Sequence, residues 1–422
     1  MTTAVVGAGP VGAVCARALA EQGEDVLLVD PDPGPLPDGT WHRRGVMQFA
    51  HPHFFRFQVP QVMSQLVPQM WAEVVASGAV VNEPPEGMPA VMTSVSTRRS
   101  TFEAALQRSA VHERLTRLVG SAERVCTDRD RVSGLVVDGT TYPADRVVVA
   151  SGRSGSLDDA RPPGEGGGCG QSYVSRMYRA RSGTEPLRSW RPLGAEHRDY
   201  QAIAFPQDDG THSALVIRPS ADRTLEALWH DRAYDRAVAR IPVLAPWTDP
   251  ERFEPISPAM RGGTLTNTYR RQGDVVGLFH LGDAVCTTNP SGGRGVALGL
   301  QQVQALLVAL AEHPDPRDAS GAFEQWCSEH IRPWYDDHVS NDAYLCARYA
   351  GEELDVEAPL PSWVVAAAAE ALPHLMSVLG PYFAMIAPPS SLSTVEEEVR
   401  ALLRSGWRPP IAEGPRATEL VA

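Results

Sequence analysis

The apolar positions of this chain open as a strand, a glycine turn and a helix. Ala4-Val5-Val6 is a short apolar run, Gly7 to Gly12 interrupts it, and the Ala-rich stretch Ala13 to Gln22 has helical composition. A second apolar run, Val26 to Val29, ends in Asp30. Residues 31–40 are rich in Pro, Gly and Asp and predict a loop, followed by Trp41–Phe57, a segment dense in His, Arg and aromatic residues. Helical spacing returns over Val62–Ser77 and over Arg98–Leu118. The second of these starts at Ser100 or Thr101 and places Phe102, Leu106, Leu115 and Leu118 on its apolar side. Strand-like runs follow at Gly134–Asp138 and Arg146–Ala150 with Asp138-Gly139 as a turn, and the first of them pairs with the Arg124–Cys126 region in a small meander. Gly164–Gly170 follows two prolines and precedes no helix, so it reads as a flexible connection rather than a second phosphate cradle. Alternation at Gln201–Phe205 and Ser213–Ile217 marks short strands within a sheet-rich region from 171 to about 270. Val275–Leu281 predicts a buried strand and Gly292–Glu312 a long apolar helix. The rest is mostly helical, with proline breaks near 359–361, 388–389 and 409–410.

The first turn carries chemistry. Gly7-Ala8-Gly9-Pro10-Val11-Gly12 follows a strand, opens a helix, and has an acid at the end of the next strand. In that layout Gly7 makes the tight turn, Gly9 lets backbone approach a pyrophosphate, Gly12 lets helix and strand pack, and Asp30 accepts hydrogen bonds from a ribose diol. The helix N-terminus adds free N–H groups and a positive dipole end. The reading is a dinucleotide site.

A second constellation lies far downstream. The strand ending at Leu281 delivers Gly282-Asp283-Ala284, and Asn289 leads into Pro290-Ser291-Gly292-Gly293-Arg294-Gly295 and a helix. Asp283 can bind a sugar-alcohol hydroxyl. Pro290 stiffens the loop, and Gly293 and Gly295 bring backbone to a flat ligand. The helix end favours a ring that becomes anionic on reduction. The second constellation therefore suits a ligand with a sugar-alcohol chain and a flat, reducible ring.

Together these residues resemble the flavin monooxygenases folded like p-hydroxybenzoate hydroxylase, over roughly residues 4 to 310. The resemblance implies that the N-terminal glycine motif holds the ADP half of FAD, that Gly282-Asp283 holds the ribityl chain, and that Pro290–Gly295 lies beside the isoalloxazine. The family-like Arg99-Ser100-Thr101-Phe102-Glu103 implies Arg99 near the pyrophosphate or adenosine, and Arg43 and Arg44 are placed to meet phosphate or ribityl oxygens. Val147–Arg153 stands where the family has a strand ending in a short Asp-Gly signature. Ser151 replaces the Asp, which leaves electrons to come from NADH or NADPH directly or through a separate flavin reductase. The implied fold is α/β: a Rossmann-like FAD-binding domain with an inserted β-sheet substrate domain and a helical C-terminus. The expected division is a discontinuous FAD-binding domain at 1–60, 98–170 and 270–320, a substrate domain at 61–97 and 171–269, and a helical region at 321–422.

The implied activity is oxygenation, hydroxylation or epoxidation, of a largely apolar small molecule with O2 through a flavin C4a-hydroperoxide, in keeping with secondary-metabolite tailoring. The alternatives are a FAD-dependent reductase or dehydrogenase of the same fold acting on an isoprenoid-like substrate, and a flavoprotein that binds without turnover. His51 and His53 would share one face of an extended segment and serve substrate positioning or proton transfer near neutral pH, and Arg294 sits in the ring-side loop; these are the candidate catalytic residues.

Composition narrows the rest. All 38 basic residues are arginine, so no lysine is available for a Schiff base, a P-loop, or the active-site lysine on which flavin halogenases of this fold rely. A net charge of −13 disfavours nucleic acid and anionic lipid as partners. The six cysteines show no paired spacing, so no metal site is expected. With no apolar run near the length of a membrane span and a core strand at the N-terminus, the expectation is a cytoplasmic protein.

Overall fold

The computed structural model describes residues 1–43, 45–86, 88–153, 157, 161–263 and 265–422. Its centre is a five-stranded parallel sheet built from β1 (Thr2–Val6), β2 (Asp25–Asp30), β3 (Leu115–Val119), β4 (Arg146–Val149) and β5 (Leu278–His280), in the order β5-β4-β1-β2-β3. Helices α1 (Pro10–Glu21), α2 (Arg99–Ser109) and α3 (Gly295–Glu312) pack with the sheet in the main core. On the opposite face a three-stranded antiparallel meander, Ala122–Asp128, Arg131–Val137 and Thr140–Pro143, supplies Leu135 and Val137 to a smaller core. Covering both faces accounts for the unbroken apolar runs of β1 and β4. In register, Val6 lies beside Val149 and Val149 beside His280, so Gly7, Ala150 and Leu281 leave the sheet side by side. This is the strand-end crevice where parallel α/β sheets hold ligands.

Two glycines allow the helices to close on that crevice. A Cβ on Gly12 would lie 1.8 Å from the Gly7 carbonyl oxygen, and one on Gly299 would lie 2.4 Å from Val11 Cγ2. The sequence rules that placed Gly12 at a helix–strand contact therefore hold, and Gly299 does the same for α3 against α1.

Six further strands form a second large sheet, beside a three-stranded and a two-stranded one. Leu193–Glu196, Gln201–Pro206, Thr211–Pro219, Gln171–Ala180 and Phe253–Pro255 lie in that order, and Met260–Gly262 also pairs with Gln171–Ala180, every pairing antiparallel. One face packs on Leu228, Tyr234 and Trp247. The other presents Tyr173, Ile203, Phe205 and Leu215 toward the crevice. Downstream, α4 (Arg332–Tyr349) and α5 (Met376–Phe383) belong to a helical C-terminal part.

Four local expectations differ from the structure. The helix foreseen over 98–118 ends at Ser109, and Leu115–Val119 is instead the edge strand beside β2. Leu115 and Leu118 fit a helical period, but Thr116 and Val119 favour a strand and the open edge of β2 needs backbone partners. The helix over 62–77 is two helices, Gln58–Leu66 and Pro68–Ala76, broken at Pro68, whose ring cannot continue the hydrogen-bond ladder. Glu165–Gly168 is not a loose connection but a strand antiparallel to Thr266–Tyr269. Finally, α3 is long and apolar enough to cross a membrane by length and composition, contrary to the expectation that no segment comes near. Here Leu298, Leu300, Val303 and Leu306 of α3 are buried in the main core.

Replacing Gly12 with Ala should destabilise the fold by at least about 2 kcal/mol, the scale of overpacking against rigid backbone. Urea denaturation measures this, and an unchanged midpoint would contradict the packing described.

Candidate functional site

One cavity of about 790 Å³ runs along the crevice, from the Gly7–Pro10 turn past Gly282–Asp283 and the Pro290–Gly295 loop to an apolar chamber. Its walls can be built from the motifs outward.

At the nucleotide end, Asp30 is fixed before any ligand arrives. Its Oδ2 accepts hydrogen bonds from the Ala8 amide at 2.5 Å and from Arg43 Nη2 at 2.6 Å, and its Oδ1 accepts the Asp32 amide at 2.8 Å. Arg43 also pairs with Glu103 through Nη1, and Glu103 in turn pairs with Arg99. The Arg99 Nη1 lies 3.2 Å from His53 Nε2, and His53 Nδ1 lies 2.9 Å from the His51 carbonyl oxygen. The result is a continuous chain, Asp30–Arg43–Glu103–Arg99–His53, along the cavity wall. The sequence reading had assigned Arg43 and Arg99 singly. In the fold, Glu103 of the same motif, 1 % exposed, holds both arginines. Arg44, the third arginine expected here, lies outside the described residues.

At the centre, the Gly282 amide donates to Gln302 Oε1 at 2.8 Å, which ties the Gly-Asp turn to α3. Among the described residues the Asp283 side chain accepts no hydrogen bond, although it lines the cavity. Burial pushes its carboxyl above the usual range, opposed by Arg99, Arg153 and Arg161. Pro290–Gly292 forms a single 3-10 turn, with Asn289 Oδ1 accepting the Ser291 amide at 3.1 Å. Gly293 follows in the left-handed region at φ 62°, which turns the chain into α3. Gly7, Gly9, Gly12, Gly282, Gly293 and Gly295 thus occupy the two turns and the helix starts that the motifs imply, and Pro290 opens the second turn.

These residues fit FAD on structural grounds. A Cβ at Gly9 would meet nothing nearer than Arg43 Nη1 at 3.8 Å, so the backbone there stands open to the cavity. Asp283 is a cavity carboxylate free to accept hydroxyls, and the N-termini of α1 and α3 both face the same space.

The structure shows what holds each candidate catalytic residue. The Arg294 side chain turns away from the ring-side loop. Its Nη1 pairs with Asp337 at 2.6 Å, its Nη2 donates to Tyr382 Oη at 2.7 Å, and its guanidinium lies 4.6 Å over the Trp334 ring. These bonds lock α3 to α4 and α5 and make Arg294 a structural bolt. His51 and His53 do line the cavity, but their ring nitrogens are engaged by protein. His51 Nδ1 is 2.7 Å from Ser175 Oγ, and its other hydrogen bond is to the Arg261 backbone. Burial lowers His51 to about 4 and, together with Arg99, His53 to about 3. Both rings are held neutral near pH 7, and each has a ring nitrogen fixed by a protein group of the wall.

Sequence reasoning gave Arg56 no role of its own. Its Nε and Nη2 donate to the Gly292 carbonyl at 3.1 and 2.7 Å, and its Nη1 donates to the Phe383 carbonyl at 3.1 Å. Its partners lie 236 and 327 residues away, and no local pattern announces them.

Comparison with known proteins agrees with this geometry. Residues 1–190 match the family model of the pyridine nucleotide-disulphide oxidoreductases. Among solved structures, the flavin-dependent brominase Bmp2 superposes with a TM-score of 0.62 at 14% identity over 96% of this chain and 99% of that one. PqsL, a probable FAD-dependent monooxygenase from Pseudomonas aeruginosa, gives 0.60 at 16% identity over 83% and 98%. The chain has the p-hydroxybenzoate hydroxylase-type FAD-binding fold. The myxobacterial halogenase CndH shares this fold with a TM-score of 0.60 at 17% identity over 95% of this chain and 96% of that one. Among curated proteins none matches. Within this flavoenzyme fold, the described residues hold no cluster of three or more His, Cys, Asp or Glu able to bind a metal ion.

The low His53 value predicts an acid-sensitive wall. Unfolded His53 takes a proton below its ordinary 6.5 whereas the folded residue resists until about 3, so its contribution is present above pH 6.5 and is lost as pH falls from there. Between about pH 7.5 and pH 5 the native protein should lose on the order of 1–2 kcal/mol more stability than His53→Gln does. Equal losses in urea titrations at the two pH values would contradict the neutral assignment.

Proposed function

We propose that this protein is a FAD-dependent monooxygenase acting on a largely apolar small molecule, hydroxylating or epoxidising it with O2. The observation that carries the reading is the single cavity with two chemically distinct ends. One end is the nucleotide cradle of Gly7–Pro10, Asp30 and Arg43. The other is walled by Phe54, Met92, Trp190, Phe205, Leu215 and Phe383. They meet at Asp283 and the Pro290–Gly295 loop, where the resemblance puts the flavin ring.

FAD supplies the oxygen chemistry when bound; the protein's part is to bind, orient and keep water out. Arg43 and Arg99, each held by Glu103, present cationic edges to the phosphates. Asp283 orients the ribityl chain by accepting its hydroxyls. The apolar chamber excludes water and selects the substrate by shape and apolar contact, since neutral His51 and His53 add no charge to it.

The electron source in this reading is a separate flavin reductase. Ser151 stands where the resembling family has an acid, and its Oγ is taken by Arg161 Nη2 at 2.8 Å. Supporting the monooxygenase class over halogenation is the absence of lysine from the chain. A reductase or dehydrogenase of the same fold remains the second reading, and the same apolar chamber would suit it.

Anaerobic reduction tests the proposal. Flavin absorption of the FAD-loaded protein should bleach slowly with NADH or NADPH alone and rapidly once a flavin reductase is added. Readmitted O2 should then be consumed in step with oxygenated product when an apolar aromatic or polyene substrate is supplied. Fast bleaching by NADPH alone would overturn the role given to Ser151, and substrate turnover without O2 uptake would favour the dehydrogenase reading.

A further inference from the structure

The Pro290–Gly293 turn separates the main cavity from a second, smaller one of about 170 Å³ behind it, and Arg56, Ser291, Gly292, Arg294 and Phe383 are common to both walls. Arg56 is unusual among the arginines of the site. Arg43, Arg99 and Arg294 each have a carboxylate partner. Among the described residues no carboxylate lies within 4.0 Å of the Arg56 guanidinium nitrogens. Its hydrogen-bond partners are two carbonyls, Gly292 on the ring-side loop and Phe383 at the end of α5. The neighbouring Gln58 side chain donates to the next carbonyl, that of Ala384, so the end of α5 is gripped twice. Met376 and Phe383 of that helix line the main cavity.

Charge around Arg56 is unbalanced. Asp337 attracts it and Arg294 repels it, and Asp337 is already paired with Arg294. Burial and Arg294 lower Arg56 to about 9, which leaves it cationic at neutral pH. A positive charge therefore stands at the back of the loop, partly withdrawn from water, where its field is screened less than at the open surface.

We propose that Arg56 is a positioning residue that fixes the ring-side loop to α5 and lends it a positive charge favouring the negatively charged, reduced form of the bound flavin. The inference rests on the FAD reading above. Reduction adds two electrons, from a reductant such as dithionite, and one proton, and leaves one negative charge on the ring. A fixed cation behind the loop stabilises that state relative to the neutral oxidised one, as does the N-terminus of α3. The same guanidinium couples the loop to Met376 and Phe383, so the ring and the substrate wall are held in one frame.

Dye-equilibrated anaerobic titration of the FAD-loaded protein tests this without any substrate. At a fixed dye potential, Arg56→Gln should lower the ratio of reduced to oxidised flavin at least tenfold, while Arg56→Lys, which keeps the charge, should stay within threefold of the native ratio. Asp337→Asn, which removes the nearest negative charge, should move the ratio in the opposite direction and keeps the test available if Arg56→Gln does not fold. A native ratio in Arg56→Gln, or a shift of Asp337→Asn toward oxidised flavin, would overturn the proposal. Failure of the native protein to take up FAD would instead defeat the reading of function on which it rests.

Discussion

Everything at the site depends on how closely two helices approach one sheet. Val11, on the first turn of α1, packs against Gly282 and Gly299, with Cβ positions on those glycines falling 3.3 and 2.4 Å from its Cγ2. Any side chain at Gly299 would push α3 off α1, and any at Gly12 would push α1 off the sheet. Because both contacts are this tight, the N-terminal ends of α1 and α3 converge on the same cavity. In the proposed FAD reading, the two positive dipole ends serve two parts of one ligand, a pyrophosphate and a ring that gains charge on reduction.

Around this frame the charges are arranged by distance from the ring. At the nucleotide end, acids and bases alternate from Asp30 to His53, and each arginine has its carboxylate. The alternation keeps buried guanidinium groups in one place without leaving a charge unpaired, which would be costly in a low-dielectric wall. At the ring end, the C-terminal helices supply the counterweight. Arg294, Asp337, Tyr382 and Ser362 form a closed network that pins α3 to α4 and α5. Asp342 collects amide hydrogen bonds from Gln171, Asn267 and Asn289 and so anchors the approach to the ring-side turn. The helical C-terminus therefore belongs to the site, since it holds the loop from behind.

How much of this was legible in the sequence follows from the range of each interaction. The glycine turns, their flanking strands and the acids Asp30 and Asp283 are local features, in which backbone conformation and residue type determine each other within a few positions. They were readable, and the cofactor class with them. The segment after Ser109 was not, because Leu115 and Leu118 satisfy both a helical and a strand period and only the open edge of β2 decides between them. The loop carrying Arg294 was legible, but the direction of its side chain was not, because that depends on Asp337, far downstream on α4. Glu103 and Arg56 were missed for the same reason. Their partners come from elements that meet only in the folded chain, and neither residue carries a spacing that would reveal them.

The most direct measurement of the central account is equilibrium binding of FAD to the protein stripped of flavin, followed by flavin fluorescence, for the native chain and for Asp283→Ala. Hydrogen bonds to a charged acceptor contribute about 1.5–3 kcal/mol. The account therefore predicts one FAD bound per chain and an affinity at least about tenfold weaker in the variant, with far-ultraviolet circular dichroism unchanged. A native protein that takes up no FAD, or a variant that binds it as tightly as the native chain, would contradict it.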